Sequence, residues 1–305
     1  MRVLLTGAQG QLGKALRRCL PEGIELIATA RQADAAVGVL PLDLADRQAC
    51  RSAVLDYRPD WVLNAGAYTA VDQAESEPQL AQAVNAGAPG AFAEALLEIG
   101  SQGRLLQVST DFVFNGQQGH PYRPDQSRAP LGVYGATKAA GEQVVTEILG
   151  INGVGRASIL RTSWVYGPVG RNFLLTMLKL HRQQAERGEP LRVVADQVGC
   201  PTATSGLAAA CWAVVHRRSA GVLHWSDAGV ASWYDFALAI GALAQTAGLL
   251  ETAAEVQPIT SADYPTPARR PSYSLLDCAA SRTTLGLPVR HWSQVLHEVI
   301  ADVGQ

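Results

Sequence analysis

The chain has 305 residues, 48% of them hydrophobic and 17% charged, with a formal net charge of −2. That much apolar material supports a large buried core and excludes global disorder, while the near-neutral balance without a long basic run gives nucleic acid or an anionic membrane little to hold. The five cysteines, Cys19, Cys50, Cys200, Cys211 and Cys278, are odd in number and form no CxxC, which points to buried thiols in a reducing compartment instead of a disulfide frame or a zinc site. The apolar run in "MRVLLTGAQGQLG" is too short for a signal peptide, and "FALAIGALA" (236–244) is about half a membrane span. A soluble cytoplasmic protein is the expectation.

In chain order, "RVLLTG" (2–7) reads as a buried strand closed by glycine, and "QLGKALRRCL" (11–20) as a helix. "IELIATA" (24–30) and "GVLPLDL" (38–44) are strand candidates, and "ADRQACRSAVLDYRP" (45–59) is a helix stopped by proline. "DWVLNAGA" (60–67) is the fourth strand, followed by a helix over 77–100 with a kink expected at Gly87–Gly90 around Pro89. "RLLQVST" (104–110) is the fifth strand. A helix follows from Tyr134 to about Leu149, then "ASILRTSWVYG" (157–167) as the sixth strand. Strands alternating with helices predict a parallel sheet covered on both faces.

After Gly167 the pattern turns irregular, with helices expected at 172–186, 205–217, 232–248 and 292–302. "GVLHWSD" (221–227) is expected to return to the main sheet. The predicted architecture is a Rossmann-type, doubly wound parallel α/β sheet formed by 1–167 and 203–227. A smaller C-terminal substrate-binding lobe is assigned to 168–202 and 228–305.

"TGAQGQLG" lies between the first strand and the first helix and places Gly7, Gly10 and Gly13 at G-x-x-G-x-x-G spacing. Gly7 permits a tight turn, Gly10 lets a diphosphate approach the backbone, and Gly13 allows close helix–sheet packing, so the helix N-terminus can face phosphates. The acid that usually holds an NAD ribose after the second strand is missing. Thr29 and Ala30 stand in its place and Arg31 follows, which suits a 2′-phosphate and favours NADPH, with NADH possible as a second cofactor.

"YGATK" (134–138) sets a phenol and an ammonium one helical turn apart, on the helix after the strand that ends in Ser109 and Thr110. Ligands of parallel sheets bind at the carboxyl ends of the strands, so Thr110, Tyr134 and Lys138 can converge there. A tyrosine with a pKa near 10 needs about 4 kcal/mol of help to work near neutral pH. An ammonium ~4 Å away at an effective dielectric of ~20 supplies about that much.

Threonine, tyrosine and lysine at these places resemble the catalytic triad of short-chain dehydrogenases. The glycine loop, "NAGAYTAVDQAESEP" (64–78), "STDFVFNG" (109–116), "VYGATKAAGE" (133–142), "LRTSWVYGP" (160–168) and "YPTPARRPSYSLLD" (264–277) together resemble the dTDP-4-dehydrorhamnose reductase family of extended short-chain enzymes, almost end to end. The resemblance implies reduction of the carbon-4 ketone of dTDP-4-dehydro-β-L-rhamnose by NADPH. It implies that Gly10, Gln11 and Leu12 meet the cofactor phosphates, Asp43 and Leu44 the adenine end, and Gly66, Ala67 and Tyr68 the cofactor along the fourth strand. Tyr134 and Lys138 would hold the nicotinamide ribose, Tyr134 would donate the proton, and Thr110 would tune it and touch the sugar. Asp111 and Trp164 would contact the deoxysugar, and Asn172 with Arg269 and Arg270 the substrate diphosphate. Some members pair as dimers through magnesium held by glutamates. Ala15 and Ser205 occupy those positions here, so no metal is expected, and the protein would be a monomer or a homodimer.

Two kinds of rival remain. One is a 4-epimerase or dehydratase of the same superfamily; against dehydration, Phe112 follows Asp111 where a glutamate would be needed. The other is a non-catalytic regulatory subunit of the same fold, against which the complete triad counts.

Overall fold

The computed structural model describes residues 1–100, 102–152 and 155–303. β1 (Arg2–Thr6) leads into α1 (Gln11–Arg18), β2 (Glu25–Ala30), β3 (Val39–Pro41), α2 (Arg47–Tyr57) and β4 (Trp61–Asn64). α3 (Val71–Ala74) and α4 (Pro78–Gln82) pass through a π-helical turn at Ala83–Gly87 into α5 (Ala88–Glu98). β5 (Arg104–Thr110), α6 (Val133–Leu149), β6 (Ala157–Thr162), β7 (Val165–Tyr166), α7 (Phe173–Arg187), β8 (Leu191–Val194) and β9 (Val198–Gly199) follow. The chain continues through β10 (Thr202–Ala203), α8 (Thr204–Arg217), β11 (Gly221–Trp225), β12 (Ala231–Ser232), α9 (Trp233–Thr246) and β13 (Val256–Ile259) to α10 (Ala279–Leu285) and α11 (Trp292–Ala301).

Seven of these strands form one sheet in the order β11-β6-β5-β4-β1-β2-β3, every neighbouring pair parallel. The period of two sorts their side chains. Val3 and Leu5 face α1 and α8 with Leu12, Leu16 and Leu207, whereas Leu4, Val62 and Leu105 face α2, α5 and α6 with Val54, Phe92 and Val145. Each fully buried Leu or Phe contributes about 1.5–3 kcal/mol, which is why these strands read as unbroken apolar runs. Strand order reverses between β1 and β4, so the crevice for a ligand opens beyond their carboxyl ends. A third apolar cluster joins Tyr166, Leu174, Phe236, Trp292 and Leu296, beside the parallel pair β8 and β13.

Several boundaries differ from the sequence expectation. β3 stops at Pro41, because Asp43 turns the chain by accepting the N–H of Ala45 at 2.9 Å. The break in the 77–100 helix is the π-helical turn before Pro89. Pro89 itself sits in the first turn of α5, where it needs no N–H partner. The sixth strand is two pieces: Trp164, at φ +47°, bends the chain from β6 into β7, which pairs with β10. β11 does return to the main sheet beside β6. Among the described residues no helix is long and apolar enough to cross a membrane.

Candidate active site

The loop after β1 is built by close contacts that only glycine allows. Gly7 has φ +68°, and a Cβ on it would lie 2.7 Å from Cα of Gly66. A Cβ on Gly13 would lie 2.1 Å from the Gly7 carbonyl oxygen. A Cβ on Gly10 would approach only that same oxygen, at 3.2 Å, so the outer side of Gly10 is open. Gly10 is the N-cap of α1 and no side chain closes that terminus, so its first N–H groups are free for an anion.

The residues expected at the cofactor ring this loop. Gly66 N donates to Thr6 Oγ1 at 3.0 Å, and a Cβ on Gly66 would strike Leu44 Cδ1. Ala67 and Leu44 are half-buried, and Asp43 and Arg31 are exposed. Arg31 has no partner among the described residues, whereas Thr29 is buried and donates to the Leu5 carbonyl at 2.9 Å. The Tyr68 hydroxyl donates to Glu77 at 2.7 Å, and its pKa is pushed up to about 12, first by loss of hydration and then by Glu77. Leu12 points into the core, so only its backbone is available to a phosphate. Gln11 Nε2 donates to the Val165 carbonyl at 3.1 Å. A helix N-terminus with free backbone donors, open at Gly10, and an unpaired exposed arginine beyond β2 fit the diphosphate and 2′-phosphate of NADP.

The helix that carries Tyr134 is capped from a distance. Glu75 accepts the backbone N–H of Val133 at 2.8 Å. A Cβ on Gly135 would lie 2.2 Å from the Phe112 carbonyl oxygen, which explains the small residue after Tyr134. Tyr134 is half-buried and stands edge-on to Phe112, ring centroids 5.6 Å apart. Burial pushes its phenol up to about 12; a hydrogen bond with Thr110 pulls the other way and the Asp111 charge adds to the rise. Lys138, four residues on, is buried, and its Nζ donates to the Val108 carbonyl at 2.7 Å. Burial pushes that ammonium down to about 8, against the pull of Glu142. At neutral pH the pair is therefore a neutral phenol and an ammonium on successive turns of α6; the expectation that Lys138 brings the phenol down is not met, because its Nζ is turned to the Val108 carbonyl, and Tyr134 keeps the proton a donor must supply.

Thr110 donates to Asp111 Oδ1 at 3.0 Å and accepts from Phe112 N at 3.2 Å. Asp111 is 2% exposed, and burial pushes its carboxyl up to about 6 against the pull of Ser274 and Thr110, while its Oδ2 has no partner in good hydrogen-bond geometry. An orphaned acceptor on a buried acid beside a phenol is a place for a ligand hydroxyl.

Asn85 is a member of this site that the sequence reading missed. It sits in the π-helical turn, accepts Tyr68 N at 2.9 Å and donates to the Tyr68 carbonyl at 3.2 Å and to Thr137 Oγ1 at 3.1 Å. It thereby ties the β4 loop to α6 between Tyr134 and Lys138. The signal was available as one buried amide in the otherwise apolar stretch "AVNAGAPGAF".

On the other wall, Trp164 stacks on Trp233, rings 3.6 Å apart and 8° from parallel. Gly199 makes room for it, since a Cβ there would lie 2.8 Å from the Trp164 ring. Trp233 also lines a cavity of about 810 Å³ with Phe173, Arg192, Tyr264 and Arg269. The expected arginine pair divides. Arg269 is exposed at this cavity without a partner among the described residues, but Arg270 is spent on Asp72 in a two-pronged ion pair. Asn172 is likewise engaged. Its Oδ1 caps α7 through Leu175 N at 3.1 Å, and its Nδ2 reaches the carbonyls of Gly167 (2.9 Å) and Val169 (3.2 Å), so in this conformation it is a structural cap with no group left over for a diphosphate. Ala15 is buried on α1 and Ser205 exposed on α8; neither supplies a carboxylate.

Known proteins resemble this chain along its whole length. The family model described as RmlD substrate binding domain matches residues 1–305. A dTDP-4-dehydrorhamnose reductase of Streptomyces griseus is 40% identical, over 97% of this chain and 92% of that protein. A probable dTDP-4,6-dihydroxy-2-methyloxan-3-one 4-ketoreductase of Streptomyces antibioticus is also 40% identical, over 99% of this chain and 96% of that one. The crystal structure of dTDP-4-dehydrorhamnose reductase from Bacillus anthracis in complex with NADP superposes with a TM-score of 0.84 at 33% identity, covering 99% of both chains. With a dinucleotide loop, a Thr–Tyr–Lys constellation and matches along its whole length, this chain belongs to the RmlD substrate binding domain family.

Proposed function

We propose that this protein reduces the carbon-4 ketone of dTDP-4-dehydro-β-L-rhamnose to give dTDP-β-L-rhamnose. The observation that carries the reading is the grouping of Thr110, Asp111 and Tyr134, with Lys138 one turn further along α6, at the carboxyl edge of the sheet whose β1 leads into the glycine loop, in a chain 40% identical to a reductase of that name. When bound, NADPH supplies the hydride that carbon 4 receives. Tyr134 donates its proton to the carbon-4 oxygen. Lys138 stabilises the phenolate left behind and holds the nicotinamide ribose, and Thr110 orients the carbonyl. The free Oδ2 of Asp111 accepts a sugar hydroxyl, and Trp164 packs on the apolar face of the deoxysugar. The cavity beyond Trp233 takes the nucleotide, with Arg269 at the diphosphate. On this reading residues 1–167 and 203–227 form the dinucleotide-binding domain, which also brings Thr110, Asp111 and Trp164 to the sugar, and 168–202 and 228–305 form the lobe that completes the substrate site. The protein works in the cytoplasm as a monomer or homodimer. Its five free cysteines, four of them buried, suit a reducing compartment.

The Streptomyces antibioticus relative, at the same identity, favours one second reading: a 4-ketoreductase for a different dTDP-linked keto-sugar. Incubation with NADPH and dTDP-4-dehydro-β-L-rhamnose, with the product resolved by chromatography and NMR, separates the two. Formation of dTDP-β-L-rhamnose supports the first reading. NADPH oxidation with other dTDP-4-keto sugars but not with this one supports the second.

A further inference from the structure

Behind the catalytic helix lies a buried charge cluster that the reaction as written does not use. Ser109 of β5, Arg161 of β6 and His224 of β11 are in register across three adjacent parallel strands, so their side chains leave the same face of the sheet. All three are at most 3% exposed. Glu142 of α6 closes over them. Its Oε1 accepts from Ser109 Oγ at 2.5 Å and Arg161 Nε at 2.9 Å, and its Oε2 accepts from Arg161 Nη2 at 2.8 Å and Arg128 Nη1 at 3.4 Å. Arg161 Nη1 also reaches His224 Nε2 at 3.3 Å, and His224 Nδ1 reaches the Tyr122 carbonyl at 3.1 Å.

This row stands one residue before Thr110 on β5. Tyr134, Lys138 and Glu142 occupy three successive turns of one helix face. Two consecutive residues of β5 are thus pinned by two consecutive turns of α6: Val108 by Lys138, and Ser109 by Glu142. We propose that Glu142 is a positioning residue for the reduction, holding the end of β5 in register with α6 and supplying the negative charge that keeps the buried Lys138 ammonium charged while Tyr134 gives up its proton.

The charged and titratable groups that face this pair are few. Tyr134 shares the helix, Asp111 follows β5, Arg161 comes from β6 and Arg128 from the loop before α6. His224 comes from β11; burial, and then Arg161, push it down to about 3, so it is neutral and receives the Arg161 N–H. Glu142 is the one anion among the hydrogen-bonded members of this cluster; Arg161, bonded to both its carboxylate oxygens, carries the opposite charge, and by Coulomb's law it offsets at a neighbouring ammonium what Glu142 supplies.

The opposition gives a test by sign. This inference rests on Lys138 and Tyr134 being the catalytic pair, so native reduction of the keto-sugar is measured in the same run. Glu142→Gln should move the alkaline limb of the kcat/KM profile to lower pH by roughly one unit, the order expected for removing one nearby charge that another partly cancels. Arg161→Gln should move the same limb to higher pH, and Glu142→Asp should restore most of the native profile. If Glu142 were only a structural partner of Arg161, both glutamine variants would lower thermal stability and leave the limb where it is, which would overturn the proposal. Should Glu142→Gln fail to fold, Arg161→Gln carries the test alone: an upward limb supports the role and an unmoved limb contradicts it. Absence of native turnover indicts the assigned reaction instead of Glu142.

Discussion

Asp72 and Arg270 are far apart in sequence and form a parallel pair of charge-assisted bonds, Nη1 to Oδ1 at 3.0 Å and Nη2 to Oδ2 at 2.8 Å. Asp72 also accepts Ala268 N at 3.2 Å, and its carboxyl is held below the usual carboxylate range, chiefly by the Arg270 hydrogen bond. Glu75, one turn away, caps α6, and Glu77 holds Tyr68. The acidic run "DQAESE" therefore fixes on one short turn both the 264–271 loop, which lines the cavity of about 810 Å³, and the start of α6. Loss of this clamp loosens the cavity wall, not the chemistry. Asp72→Ala should raise KM for the nucleotide sugar about five-fold, equivalent to the ~1 kcal/mol of a partly exposed ion pair, with kcat nearly unchanged. Steady-state kinetics with saturating NADPH decide it; a fall in kcat with native KM would show that the clamp serves the chemical step.

In the proposed site, cofactor choice rests on Arg31, which is exposed just beyond β2 with no acid at Thr29 or Ala30. NADPH should show a higher kcat/KM than NADH. Arg31→Asp should abolish or reverse the preference, because the new carboxylate repels a 2′-phosphate and can accept from a ribose 2′-hydroxyl. Equal constants for both cofactors in the native protein would remove Arg31 from the cofactor site.

Asp111 gives a pH dependence of stability. Its folded pKa, pushed up to about 6 by burial, lies above the unfolded value, so the native state takes up a proton that the unfolded chain releases. The cost of burying the carboxylate is then complete above about pH 6 and vanishes as pH falls below about 4. Asp111→Asn should be more stable than the native protein at pH 8, by up to about 3 kcal/mol, with the gap closing towards pH 4. Thermal melts of both proteins across that range provide the check. A constant gap, or a variant less stable at pH 8, would show that Asp111 is already satisfied in the resting protein. The same variant should lose sugar affinity.

A chelator should change neither activity nor mass in solution. Ala15 and Ser205 offer no carboxylate, and among the described residues no group of three or more His, Cys, Asp or Glu side chains is arranged to hold a metal. Activity lost in EDTA and restored by magnesium would reveal a site these positions do not suggest.

Much of the fold was legible because short unbroken apolar runs and helices of period 3.6 alternate cleanly up to Gly167. The glycine loop and the Tyr134–Lys138 helix could be read because their chemistry depends on local spacing. What escaped was set by distant contacts. Nothing near Arg270 in sequence reveals that Asp72 takes its charge, and Asn172 reads as a ligand until the cap of α7 is seen to use it. Asn85 was hidden inside a helix pattern that gave no hint of a π-helical turn. Trp164 looked like a strand residue, though its positive φ and its stack on Trp233 depend on the space left by Gly199. The short pair β8 and β13 was missed because four-residue strands carry too little periodicity to separate from loop.

Tyr134 is proposed above as the proton donor in a keto-sugar reduction. The most direct test of that role compares native protein with Tyr134→Phe on dTDP-4-dehydro-β-L-rhamnose and NADPH, with NADPH binding and thermal melting measured on the same samples. Removing only the hydroxyl should leave fold and cofactor affinity near native and lower kcat by about 10²–10⁴, the range for general acid catalysis. A folded, NADPH-binding Tyr134→Phe protein that still reduced the keto-sugar at near native rate would contradict the account.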